Sequence, residues 1–204
     1  MKLIVFGASV GIGRQVVRQA LDAGHQVTAY VREPERLSIR HPKLTVVVND
    51  ALYLGYVKQA IAGQDAVIHC ISSGGTESTT LMSETMYNII EGMREHGVDR
   101  IAYAASAGIN GEWPGISGKL LQYKLRHVLE DHRRACELLA DSGLRWTIAR
   151  PMSLTDEPWT GIYRQTESGV PRGGKQISCA DVAHFLLQSV ASDAYAGKSF
   201  GLAY

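Results

Sequence analysis

The sequence predicts an α/β fold: a parallel sheet, doubly wound, with helices on both faces. Three observations carry this. Short β-branched apolar runs alternate with longer amphipathic stretches through most of the chain, and parallel strands require such crossover connections. The amphipathic stretches close at glycines, Gly24, Gly63, Gly97 and Gly143, the residue best suited to the left-handed turn that ends a helix. The first apolar run passes directly into a glycine-rich turn and then a helix.

Taken in order, Leu3-Ile4-Val5-Phe6 is a buried strand by its length and continuity. Arg14 to Ala23 sets Val16, Val17, Ala20 and Leu21 on one helical face. Strands two and three follow at Gln26–Val31 and Leu44–Val48, then a helix over Leu54–Ala62 and strand four at Ala66–Ile71. An amphipathic helix over Leu81–Glu95 precedes strand five, Arg100–Ala105. A helix over Val128–Ala140 then feeds the strand Arg145–Ala149. Ser178 with Asp181 has the form of a capping box opening a helix through Ser189, and Lys198–Ala203 reads as a last strand. Two stretches break the rhythm. Gly108–Lys119, with four Gly and one Pro, reads as a loop near a ligand. Pro151–Lys175, with three Pro and four Gly, reads as irregular, so residues 150–176 form a small substrate-side segment.

The 204 residues suit a single domain over 1–204. With 21 Lys and Arg against 20 Asp and Glu, the net charge of +1 offers no electrostatic footprint for nucleic acid or an anionic membrane. No apolar run approaches the length of a membrane span, since Gly7 ends the first one early. Cys70, Cys136 and Cys179 are odd in number and scattered, the pattern of reduced thiols in a cytoplasmic protein. No metal-binding spacing of the His-Glu-x-x-His type occurs, and none is expected to be needed.

The turn Gly7-Ala8-Ser9-Val10-Gly11-Ile12-Gly13 has the spacing G-x-x-x-G-x-G, not the dinucleotide fingerprint G-x-G-x-x-G. Its placement between a first strand and a helix supplies the stronger argument. Glycines let backbone amides approach a phosphate, and a helix N-terminus offers unpaired N–H groups and the positive end of a dipole. The other reading is a glycine turn serving only helix–strand packing. Arg32 stands at the end of strand two, where an acidic residue would receive the ribose of NAD, and Arg36 lies four residues on. Two guanidinium groups suit a 2′-phosphate, so NADP(H) is expected over NAD(H), with Glu33 and Glu35 as the opposing charges. Asp50, followed by Ala51, either accepts from the adenine amino group or caps the next helix. Ile71-Ser72-Ser73-Gly74-Gly75 lies where the chain passes over pyrophosphate or ribose. The architecture is therefore Rossmann-type.

These residues resemble the atypical short-chain dehydrogenase/reductases, most closely the biliverdin-IXβ reductase and NADPH-dependent flavin reductase group. Val31-Arg32 with Arg36-Leu37 looks like that group's 2′-phosphate clamp. Gly63–Ile68, Thr79–Glu84, His96–Arg100, Asp131-His132 and the stretch Asp156-x-Pro158-x-Thr160-Gly161 match its pattern, and the resemblance spans nearly the whole chain. It implies NADPH held by Gly7, Ser9, Val10, Ile12, Arg32, Glu35, Arg36, Asp50, Ala51, Ile71 and Ser72. It also implies that Met82, Ser106, His132, Ser153 and Leu154 lie near cofactor or substrate, and it leans towards a monomer. The sequence departs from the group at Val10, which replaces the middle glycine of the turn. It departs again at Ser153, where some members carry histidine, and over Gly108–Arg126, which is longer and different.

None of the nine tyrosines is followed four residues on by Lys, so the Tyr-x-x-x-Lys acid of alcohol–ketone chemistry is missing. A flavin or linear tetrapyrrole needs no such acid, because its conjugated system accepts hydride and water or a weak donor supplies the proton. Ser106 is the candidate for orienting nicotinamide or substrate. His132, beside Asp131, either holds or protonates substrate near neutral pH or is a surface helix histidine. His127 with Asp131 reads as a solvated helix pair, and His69 as a core or pocket-wall residue. Trp113 and Trp159 are either apolar walls for the acceptor or loop anchors. The expectation is an NADPH-dependent reductase of flavin (FMN, FAD or riboflavin, as substrate) or of biliverdin. A non-catalytic NADP(H) sensor with a protein partner and a sugar-nucleotide epimerase-like enzyme are the rivals.

Overall fold

The structure, a computed structural model, describes residues 1–73, 75–113 and 115–204. Its strands are β1 (Lys2–Phe6), β2 (Gln26–Val31), β3 (Leu44–Val48), β4 (Ala66–His69), β5 (Arg100–Ala104), β6 (Arg145–Pro151), β7 (Ser153–Thr155), β8 (Arg164–Thr166), β9 (Gln176–Ser178) and β10 (Lys198–Ala203). Its α-helices are α1 (Gly11–Asp22), α2 (Leu54–Ile61), α3 (Leu81–His96), α4 (Gly115–Lys124), α5 (Arg126–Ala140) and α6 (Cys179–Ala191). One sheet takes the order β3-β2-β1-β4-β5-β6-β10-β8. All its pairings are parallel except the last, where the edge strand β8 runs antiparallel to β10. The expected doubly wound sheet is therefore present, with one antiparallel edge.

Period-two alternation sorts the apolar side chains into two cores. Leu3 and Val5 of β1 point to a layer with Val16, Val17 and Ala20 of α1 and Val182, Phe185 and Leu186 of α6. Ile4 and Phe6 point to the other layer, with Val57 and Ile61 of α2, Met86 and Ile89 of α3, and Leu129 and Leu139 of α5. Each of the Val, Leu, Ile, Phe and Met side chains among these, once removed from water, contributes roughly 1.5–3 kcal/mol. Phe185 is fully buried with Phe200 and Tyr195 edge-on against it, so Phe185→Ala is the kind of change that empties a core, at about 3–5 kcal/mol.

The helix ends obey local chemistry. Gly24, Gly63, Gly97 and Gly143 all have positive φ, and Ser178 Oγ accepts from the Asp181 amide at 3.0 Å, capping α6. The Asp181 carboxylate in turn accepts from the amides of Thr160 and Gly161, from Thr160 Oγ1 and from the Tyr204 hydroxyl. Burial pushes that carboxyl up, but these donors outweigh it and hold it below the usual range. The Thr160-Gly161 pair is thus fastened to the start of α6.

Four expectations need correction. Helix α1 begins at Gly11, not Arg14, because the turn itself supplies the first helical residues. Strands β4 and β5 stop at His69 and Ala104. The stretch read as a loop over Gly108–Lys119 turns helical at Gly115, and α4 continues to Lys124; Pro114 lies outside the described residues. The segment 150–176 is less irregular than expected, since β6 runs on to Pro151 and β7 and β8 lie within it, β7 pairing with β9.

Candidate active site

The chain runs from β1 through α1 to β2 and β3, then returns to the other side of β1 to begin β4. That reversal opens a crevice between β1 and β4 at their carboxyl ends, where open α/β sheets bind ligands. The turn after β1 and the chain after β4 form its lips. Val10 is the N-cap of α1 yet offers no side-chain hydrogen bond, and the first turn holds no acidic residue. The first intrahelical bond is Arg14 N–H to Val10 C=O at 3.2 Å, which leaves the preceding amides of the first turn without helical partners. An uncapped, unneutralised helix end of this kind fits an anion.

The glycines divide the work. Gly7 has φ +76°, and a Cβ there would lie 2.7 Å from the Cys70 carbonyl group. A Cβ on Gly13 would lie 2.2 Å from the Gly7 oxygen, so Gly13 packs helix against turn. Gly11, with φ +50°, has nothing within 4 Å of the place a Cβ would take. Cradle and packing requirement are both present, on different residues.

A cavity of about 290 Å³ is lined by Gly7, Ser9, Val10, Arg32, Arg36, Asp50, Ala51, Ile71 and Ser72. It also takes in Tyr30, Glu33, Asn49, Cys70, Leu81 and Thr85, which sequence reasoning did not assign to cofactor. Of the two glutamates Glu33 and Glu35, Glu33 lines it, with its Oε2 3.4 Å from Arg36 Nη1 in an exposed pair. Glu35 is exposed and lies outside the lining. Asp50 does not cap α2, whose N-cap is Tyr53; its Oδ1 accepts from the Leu52 amide at 3.0 Å. Its backbone carbonyl accepts from the Tyr30 hydroxyl, and burial, followed by the Asp50 charge, pushes the Tyr30 phenol up to about 12. Of the run after β4, Gly74 lies outside the described residues.

A second cavity of about 460 Å³ shares Val10, Cys70 and Ser72 with the first. It brings together Gly11, Ile12, Ser106, Trp113, His132, Ser153 and Leu154, with Leu121, Leu125 and Met152 closing it. No Asp, Glu, Lys or Arg is among its described lining residues. Ser106 Oγ donates to the Ala107 carbonyl at 2.9 Å. Met82 and Trp159 are not there. Met82 is fully buried in the first turn of α3, and Trp159 is 58% exposed against the His184 ring of α6.

His132 is neither on the surface nor at a helix start. It sits within α5, 4% exposed, with Nδ1 2.6 Å from the Tyr103 hydroxyl. The buried phenol has no other partner among the described residues, so its proton is assigned to that contact and the imidazole carries its own on Nε2. Burial lowers the imidazole to about 4 despite the neighbouring Asp131 charge. At neutral pH it is therefore an uncharged hydrogen-bond donor, not an imidazolium acid. Asp131 is not solvated beside His127. It is fully buried, and its carboxylate accepts from the Met82 and Ser83 amides at 2.8 and 3.1 Å, capping α3 from α5. His69 is a core residue, bonded to Thr85 Oγ1 at 3.0 Å and lowered by burial to about 3.

A cavity that holds two arginines and another with no charged side chain among its described lining residues meet at Val10, Cys70 and Ser72 over the switch point of a doubly wound sheet, the arrangement of a dinucleotide-binding protein of the Rossmann type. Comparison narrows this: residues 7–193 match the NAD(P)H-binding family, and the chain belongs to it. It is 25% identical over 98% of its length to the photosystem II assembly factor Ycf39 of Synechocystis. The curated relatives are longer, the chain spanning 32% of one and 61% of Ycf39. Among solved structures, a short-chain dehydrogenase/reductase of Veillonella parvula in complex with NADP superposes with a TM-score of 0.85 at 23% identity, over 100% of this chain and 94% of that one. ChuY of Escherichia coli O157:H7, an anaerobilin reductase, superposes with a TM-score of 0.83 at 19% identity, over 100% and 97%. Both likenesses are of fold. No helix among the described residues is long and apolar enough to cross a membrane.

Proposed function

We propose that the protein is an NADPH-dependent reductase of a flat conjugated acceptor such as a flavin or biliverdin. The observation that carries this reading is the junction of the two cavities at Val10, Cys70 and Ser72. The first cavity holds the cations and the uncapped helix end that suit a phosphorylated dinucleotide; the second is walled by Trp113, Leu121, Leu125 and Met152, which suit an apolar ring system. Gly7, Ser9, Val10 and the first-turn amides of α1 would hold pyrophosphate, Arg32 and Arg36 the 2′-phosphate. NADPH, when bound, supplies hydride.

The chain's own part is placement. Leucine and tryptophan side chains line the second cavity, Ser106 offers a hydroxyl there, and His132 presents a neutral N–H held in one tautomer by Tyr103. With no Tyr-x-x-x-Lys pair in the sequence, a carbonyl substrate that needs a strong acid is disfavoured, whereas a conjugated acceptor takes its proton from water. A second reading, an NADP(H)-binding protein that acts through a protein partner without turnover, is favoured by the similarity to an assembly factor along 98% of the chain. One assay separates them: NADPH and NADH consumption across FMN, FAD, riboflavin and biliverdin. Turnover with NADPH preferred supports the reductase; tight NADPH binding with no oxidation by any of the four supports the second reading instead.

A further inference from the structure

Neither Glu112 nor Arg150 lines either cavity, yet they form a buried ion pair, with side chains 5% and 2% exposed. A buried pair costs desolvation that apolar residues would not incur, so its connections matter. Arg150 lies near the end of β6, immediately before Pro151–Leu154, which form one wall of the second cavity. Its Nε donates to Ser199 Oγ of β10 at 2.8 Å and its Nη2 to the Glu167 carbonyl at 3.1 Å. The guanidinium is thereby fixed to the sheet.

Glu112 is the other half. Its Oε2 accepts from the amides of Gly108 and Asn110 at 2.7 and 3.2 Å, so the turn after β5 is wound around the carboxylate while Oε1 faces Arg150. Trp113 follows directly. Its indole lies against Gly108, where an added Cβ would come within 3.0 Å of the ring, and it packs beside Ala107 and Met152. One carboxylate thus serves both the loop that carries Trp113 and the cation that precedes Pro151–Leu154. The loop cannot swing without stranding a buried charge.

We propose that the Glu112–Arg150 pair is the positioning element that fixes Trp113 against Met152 and so shapes this side of the acceptor cavity for a flat ring. The proposal rests on the reductase reading for its kinetic part only. The test is Glu112→Gln, which keeps an oxygen for the loop amides and removes the charge, with the protein labelled by 5-fluorotryptophan. The resonance of Trp113, assigned by Trp113→Phe, shifts and broadens while those of Trp146 and Trp159 stay in place. The FMN KM rises about tenfold while the NADPH Kd stays within about twofold, the reverse of a general loss of fold. If Glu112→Gln does not fold, the apolar double variant Glu112→Leu/Arg150→Met, of a kind that often folds, gives the same ¹⁹F change because the Gly108 and Asn110 amides lose their acceptor. An unchanged Trp113 resonance in a folded variant overturns the proposal. So does a lower melting temperature with the FMN KM unmoved. If the wild-type protein does not oxidise NADPH with FMN, the reductase reading fails while the ¹⁹F result still decides the positioning role.

Discussion

Replacing Arg32 and Arg36 together with alanine separates a 2′-phosphate site from a merely basic surface. Both side chains line the first cavity, and both are exposed, so each charge-assisted bond is set at the low end of its range, about 1.5 kcal/mol. Arg36 must also release Glu33, 3.4 Å away in a pair of side chains more than half exposed, a contact of about 0.5 kcal/mol. The two arginines then contribute about 2.5 kcal/mol to NADPH, roughly 70-fold in Kd. NADH has no 2′-phosphate and should move by no more than about twofold. Glu33→Gln works in the opposite direction: with Arg36 freed, NADPH binds roughly two- to threefold tighter. The assay is a fluorescence titration of the reduced nucleotides at low and high salt, with the preference for NADPH narrowing as salt screens the arginines. Equal losses for NADPH and NADH, or none for either, would refute the assignment of the pair to the 2′-phosphate.

Three further outcomes follow from the geometry. Gly13→Ala places a Cβ 2.2 Å from the Gly7 oxygen; it should cost about 1–3 kcal/mol in urea unfolding and weaken both nucleotides, whereas Gly11→Ala meets no atom and costs only its positive φ, about 1 kcal/mol. Asp131→Ala removes the acceptor for two amides at the start of α3, about 2 kcal/mol by analogy with other lost caps, which calorimetry reads as a melting temperature lowered by roughly 4–8 °C. His132 is lowered to about 4 by burial, so as pH falls below its unfolded value near 6.5 the unfolded chain takes up the proton first. Its contribution is whole above about pH 6.5 and is lost towards pH 4, about 3 kcal/mol in all, with His69 acting in the same direction; urea midpoints that stay level from pH 7 to 4.5 would contradict the burial of both rings.

Most of the sheet was legible because each strand is a short apolar run between turn residues, and β1 through β6 and β10 are located within one or two positions at most ends. Helix α4 was not. Gly115 and Gly118 sit inside it and its exposed Ile116 and Leu120 follow no buried stripe, so its composition argues for a loop. The three-residue strands β7 and β8 are too short to show alternation. Within the site, Arg32, Arg36 and the glycine turn were readable because local spacing carries them. His132 could have been found: Leu129, His132, Ala135 and Leu139 share one helical face, a stripe that places the ring inside. The partners of Asp131, Tyr103 and Glu112 were not readable, since each contact joins residues far apart in sequence and depends on which strand ends the fold brings together. Which of the two readings applies to Trp159 was unreadable for a related reason: its loop is drawn to Asp181 and α6.

The transfer of label from NADPH deuterated at C4 to 5-deaza-FMN tests the central claim most directly, because the deazaflavin keeps the transferred atom on carbon. Deuterium delivered from one face of the nicotinamide only, with one NADPH consumed per acceptor reduced and NADH a poorer donor, is the expected result. NADPH bound at the first cavity with no label in the acceptor would contradict the account.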